Sequence, residues 1–237
     1  MTLQTLHSDH TVILACTSLL LHVEAAQERM ATRFPVVELD RRFHTEPKQM
    51  RSHILKALDD LHADCDTVLV AMGYCGGSWN HIPITRRVVM PKVDDCITLL
   101  LHTNDTPHTN LKKVGHMYFR DCDTGPYSIE SMKEEICRTY GMEFGTSIFG
   151  SWFQNYTSAD IIDTGVYDCY SEEYVADVQK NADLIRCSLG YVEGSNRILE
   201  KLVSGRWDEQ FVILESGREM TEQDFGFSFG SADAIQY

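Results

Sequence analysis

Six short apolar runs, separated by longer stretches of helical period, confine this chain to an α/β fold. Residues 11–15 (TVILA), 34–39 (FPVVEL), 66–72 (DTVLVAM), 87–91 (RVVMP), 115–120 (GHMYFR) and 210–215 (QFVILE) are rich in β-branched and aromatic side chains. Most are apolar continuously rather than alternately, which suits strands covered by helices on both faces. Helices are expected over 19–33, 46–62, 97–102, 129–140, 172–186 and 191–202. In the first, Leu19, Val23, Ala26 and Met30 fall on one stripe, and in the second Met50, Ile54, Leu58 and Leu61 do. Thr17 or Ser18 is placed to cap the first helix. Alternating strands and helices demand right-handed crossovers. The expected fold is therefore Rossmann-like, a mostly parallel sheet covered by helices on both faces. Without a repeat or a linker, residues 11–224 read as a single α/β domain, between a mobile tail over 1–10 and a flexible Gly- and Ser-rich tail over 225–237.

The formal net charge of -14 argues against nucleic acid, since phosphate binding needs clustered Lys and Arg. It equally disfavours an anionic membrane surface. No run of about 18 apolar residues suggests a membrane span, and the first residues lack a basic-then-apolar signal pattern. A cytoplasmic location is expected. The eight cysteines, at 16, 65, 75, 96, 122, 137, 169 and 187, then read as thiols, metal ligands or nucleophiles rather than as a disulfide framework.

Three of these cysteines follow apolar runs directly. Cys16 follows the first, Cys75 the third and Cys96 the fourth. In open parallel sheets, ligands gather beyond the carboxyl ends of the strands. If those strands are neighbours, three thiols from distant positions meet at one edge. Each is also read as sitting near a helix start, where the dipole and free N–H groups favour the thiolate. Three thiolates suit a soft or borderline ion, with zinc favoured and an iron–sulfur cluster as the alternative. Buried cysteines are also common core residues, and no paired C-x-x-C motif is present.

Around the thiols, Gly73-Tyr74-Cys75-Gly76-Gly77 is a glycine-rich turn that could cradle a ligand or an anion. Gly76 and Gly77 are the candidate cofactor-binding residues, and Tyr74 a catalytic candidate. Trp79 either walls a pocket or packs in the core. Asp94 and Asp95 precede Cys96; Asp95 is a candidate for acid–base work, while one of the pair is placed to cap the helix from Ile97. His116, Cys122 or an exogenous group could supply a fourth ligand, and His22 is a more remote candidate. Neither a G-x-S-x-G elbow nor an H-E-x-x-H helix occurs.

At these residues the chain resembles the uncharacterised family called domain of unknown function 1638. The resemblance rests on ILAC (Ile13 to Cys16), GYCGG (Gly73 to Gly77), VDDCITLLL (Val93 to Leu101) and, more loosely, GHMYF (Gly115 to Phe119). It departs at Arg120-Asp121-Cys122-Asp123. The resemblance carries Cys16, Cys75, Cys96 and Asp95 over as site residues. It also implies a setting in anaerobes and other bacteria and archaea, in genes beside corrinoid-dependent methyltransferases and corrinoid proteins.

Three readings follow. The first is a metal-dependent methyltransferase or its accessory protein in one-carbon metabolism, partnered by a corrinoid protein or corrinoid methyltransferase and acting on a small-molecule substrate. The second is an iron–sulfur redox protein supplying electrons to a partner. The third is a non-catalytic binding module. An exposed edge strand would also let copies pair as a homo-oligomer.

Overall fold

The computed structural model describes residues 6, 7 and 9–226. The expected tails lie outside the described residues except at their inner ends. There, the His10 carbonyl accepts from the Asp66 and Thr67 amides, and Phe225 is buried. In chain order the elements are β1 (Thr11–Cys16), α1 (Leu20–Met30), β2 (Val36–Leu39), α2 (Pro47–Asp59), β3 (Thr67–Ala71), β4 (Ile82–Ile84), β5 (Arg87–Pro91) and α3 (Cys96–Leu101). They continue with β6 (His116–Phe119), α4 (Ile129–Tyr140), α5 (Met142–Phe153), β7 (Ser158–Asp163), α6 (Glu172–Leu184) and β8 (Ser188–Glu193). The chain then adds α7 (Arg197–Ser204), β9 (Phe211–Leu214) and β10 (Arg218–Met220).

These elements form two compact units. The first combines the described residues up to Leu111 with those from Asn196 onward, and the second runs from Lys112 to Ser195. In the first, a five-stranded sheet has the order β2-β1-β3-β5-β9. Its first four strands are parallel, and β9 closes the edge antiparallel to β5. The core follows from composition: Ile13, Leu14, Leu69, Val70, Val88 and Val89 are all essentially inaccessible. Helix α7 packs on α1 and over β3 and β5. A short antiparallel pair, β4 with β10, stands apart from the main sheet.

Strand order matters most for the site. The chain passes from β1 to β2 on one side, then returns across to β3 on the other. With right-handed crossovers, α1 and α2 fall on opposite faces. The crevice where they diverge opens beyond the carboxyl ends of β1 and β3, the place where doubly wound sheets bind ligands.

The second unit holds a parallel sheet of order β6-β7-β8. Its core gathers Phe119, Ile136, Phe149, Ile161, Val178 and Ala182. The fifth expected strand therefore begins a separate sheet instead of extending the first. The helix expected over 191–202 is also divided, since β8 runs through Glu193 before α7 starts at Arg197. Leu189 and Tyr191 carry only part of the apolar weight of an ordinary strand, because β8 is an edge with half-exposed side chains. Among the described residues no helix is long and apolar enough to cross a membrane.

Candidate functional site: three thiols at a sheet edge

β1, β3 and β5 are neighbours, so their carboxyl ends lie side by side. Cys16 is the last residue of β1, and its side chain is fully buried. Cys75 lies four residues beyond β3 and is half-buried; Cys96 is the first residue of α3 and is buried. All eight cysteines are reduced thiols.

The loops after β3 and β5 are joined by backbone. The Tyr74 amide donates to the Val93 carbonyl at 3.0 Å, and the Cys75 amide to the Asp94 carbonyl at 2.7 Å. Gly73 permits this approach: a Cβ there would lie 2.6 Å from the backbone nitrogen and carbonyl carbon of Asp95. The junction brings Cys75 beside Cys96. The Cys96 side chain makes hydrogen-bonding contact with both Cys16 and Cys75 and so stands between them.

Neither Cys16 nor Cys75 shows the thiolate character that a nearby helix start suggests. Both are held well above the ordinary thiol range, first by the hydrogen bond with Cys96, then by burial and charge repulsion within the cluster. Cys96 in contact with two further thiols leaves a group that cannot wholly ionise without a cation among them. Among the described residues no group of three or more His, Cys, Asp or Glu side chains stands in an arrangement that could hold a metal ion as it is. The donor chemistry nonetheless fits a soft ion, whose binding displaces the thiol protons.

Cys75 has a left-handed backbone, φ 47°, followed by Gly76 at 64° and Gly77 at 84°. Glycine adopts this geometry freely, whereas a residue with a Cβ is strained by roughly 1–2 kcal/mol. A strained non-glycine residue beside two glycines is a common mark of a functional site. The Gly77 carbonyl accepts from Arg51 Nη2 at 3.2 Å, which ties the turn to α2.

The other candidate residues fall into distinct roles. Asp95 is the N-cap of α3: its Oδ1 accepts from the Thr98 amide at 2.9 Å, while its charge still raises the Cys75 thiol. Asp94 Oδ1 accepts from the Asp95 amide. Tyr74 is buried, packs its ring on Phe225 at 4.7 Å, and has its phenol pushed up to about 12, chiefly by burial. Trp79 is wholly buried and packs in the core. Ser18 and Thr17 do not cap α1. Ser18 Oγ instead bonds Cys16 Sγ at 3.0 Å, and Thr17 Oγ1 accepts from the Arg41 amide at 2.9 Å.

His116 and Cys122 belong to the second unit. His116 Nδ1 bonds Asp160 Oδ2 at 2.5 Å, and Cys122 contacts Asp123. His22 is buried within α1. The imidazole beside the thiols is His44, with Nε2 3.3 Å from Cys16 Sγ. Sequence reading passed over it because it sits in a short 3-10 turn, Arg41–Thr45, with no motif around it. The one available signal was its position just past β2, the strand adjoining β1.

A family model described as a protein of unknown function, DUF1638, matches residues 38–203. That segment contains His44, Cys75 and Cys96, while Cys16 precedes it. No curated protein and no solved structure matches the chain.

Proposed function

The chain belongs to the DUF1638 family, and we propose that it binds a single soft or borderline metal ion, with zinc favoured, through Cys16, Cys75 and Cys96 in corrinoid-linked methyl transfer. One observation carries this reading: beyond the carboxyl ends of three adjacent parallel strands, the Cys96 thiol makes contact with those of both Cys16 and Cys75. Direct contact favours a single ion over a multi-iron cluster, whose ligating sulfurs stand further apart. Such an ion would lower the pKa of a bound thiol substrate and so make it a nucleophile at neutral pH. In the chain itself, buried Cys16 and Cys96 and half-buried Cys75 would supply the donors. The Gly76-Gly77 turn leaves room beside Cys75, since nothing but Pro47 lies near a Cβ at 76. Asp95 holds the start of α3, and with it Cys96, in place. The corrinoid protein as methyl donor is what the family resemblance implies.

The test is methyl transfer from free methylcobalamin to a small thiol, followed by loss of the cobalt–carbon absorption. Zinc-loaded wild type should accelerate the transfer, and Cys75→Ala should abolish the acceleration. Equal rates with and without the protein would overturn the methyl-transfer reading.

A further inference from the structure

We infer that His44 is the fourth protein donor of this site, completing a set of three thiolates and one imidazole for a zinc-class ion. The inference rests on the metal reading above and extends it to a residue outside the three-cysteine pattern.

The argument begins with strand order. The four parallel strands lie as β2-β1-β3-β5. Each delivers one soft or borderline donor within five residues of its carboxyl end: His44 after β2, Cys16 at the end of β1, Cys75 after β3 and Cys96 after β5. The contacts run without a gap from His44 to Cys16, from Cys16 to Cys96, and from Cys96 to Cys75.

The segment carrying His44 is anchored toward the site. The Arg41 amide donates to Thr17 Oγ1, one residue beyond Cys16. Asp40 caps the turn through the Arg42 amide at 2.9 Å, and Phe43 stacks on His53 of α2 with ring centroids 3.8 Å apart. These ties aim Nε2 at Cys16 Sγ from the flank of the thiol cluster.

A Cys3His set is a closed, four-coordinate arrangement typical of zinc. A thiol substrate could then bind only by displacing one donor. The three cysteines are fixed by strand ends or by the β3–β5 loop junction, whereas His44 sits on a five-residue turn at the half-buried rim. His44 would therefore be the donor that yields its position to a thiol substrate.

X-ray absorption on anaerobically zinc-loaded wild-type protein reads the donor set directly, and cobalt(II) spectra of wild type, His44→Ala and His44→Gln show its consequence. The expected wild-type shell is three sulfurs and one imidazole nitrogen. In both variants the imidazole signature should disappear while three sulfurs remain. Zinc affinity should fall at least as far as the roughly 10–100-fold caused by removing an outer-shell partner. A small added thiol should shift the cobalt spectrum of the variants at lower concentration than that of wild type. A wild-type shell of three sulfurs with no imidazole would overturn the role of His44 and leave the three-thiol reading standing. No binding of zinc or cobalt by wild type would overturn both.

Discussion

Gly73→Ala tests the junction on which the site depends. The new Cβ would be driven against the backbone of Asp95, with its nitrogen and carbonyl carbon both 2.6 Å away. Backbone held between β5 and α3 cannot swing aside as a flexible side chain would. The loops must part, breaking the hydrogen bonds from Tyr74 to Val93 and from Cys75 to Asp94. Each bond is worth about 1 kcal/mol net, and forcing a methyl into packed structure costs about 1–3 kcal/mol. The combined loss of about 3–5 kcal/mol is a large share of a net stability of about 5–15 kcal/mol. For a chain of this size that lowers the melting temperature by roughly 6–20 °C. Thermal and urea unfolding measure it, with Gly150→Ala as the control. Gly150 lies in α5 with open space around a Cβ, so alanine there should stabilise by up to about 1 kcal/mol. A Gly73→Ala protein within about 0.5 kcal/mol of wild type would refute the account of how Cys75 and Cys96 are brought together, since that is the scatter of surface substitutions.

Other consequences can be measured on the same protein. Cys75→Gly should be about 1 kcal/mol more stable than Cys75→Ala when metal-free, because glycine relieves the left-handed backbone; equal urea midpoints would contradict the strain. Lys201 is buried and bonds Asp105, Asp208 and Gln210. Lys201→Met should cost about 1–3 kcal/mol, chiefly by leaving the Oε1 of buried Gln210 without its donor, because Asp105 is exposed and Asp208 half-buried; a melting temperature within a degree of wild type would show the network to be dispensable. Cys169 is buried, and burial followed by Asp163 pushes its thiol from 9.0 to about 11. A thiol raised in the fold stabilises fully below its unfolded value and loses that contribution as pH rises through the folded one. Stability should therefore fall between pH 9.0 and about 11, with a slope from this group of up to about 1.4 kcal/mol per pH unit. Cys169→Ala should flatten that slope, and an unchanged slope would assign the alkaline loss elsewhere.

Much of the first unit is legible in sequence because its strands are buried on both faces. TVILA, DTVLVA and RVVMP leave little alternative to central parallel strands, and Cys16, Gly73 and Pro91 mark where they end. The second unit is harder to read. β7, SADIID, carries Asp160 inside, where it is held by Ser158 Oγ and His116 Nδ1, and a buried carboxylate breaks the apolar pattern that would announce the strand. α5 went unseen because Gly145 and Gly150 weaken its helical signal, although Gly145 is needed where α5 crosses Cys137 of α4. Periodicity also says nothing of sheet membership, so β6 could not be separated from the first sheet by pattern alone.

The site divides along similar lines. Three cysteines near strand ends are visible as a pattern, and their meeting depends on strand order together with the loop junction at Gly73. The raised thiols of Cys16 and Cys75 were not visible, because contact with Cys96 and burial outweigh the local pull of a helix start. His44 was hidden because its relation to Cys16 is purely spatial, across two neighbouring strands and 28 positions of sequence.

The most direct measurement is metal and acid-labile sulfide content, with an absorption spectrum, on anaerobically purified wild type beside Cys75→Ala. The account predicts one zinc-class ion per chain in wild type, no acid-labile sulfide, and loss of the ion in the variant. Iron with labile sulfide would replace the single ion by a cluster. No metal in either protein, even after anaerobic loading with zinc, would contradict the central claim and leave the three thiols as buried packing groups.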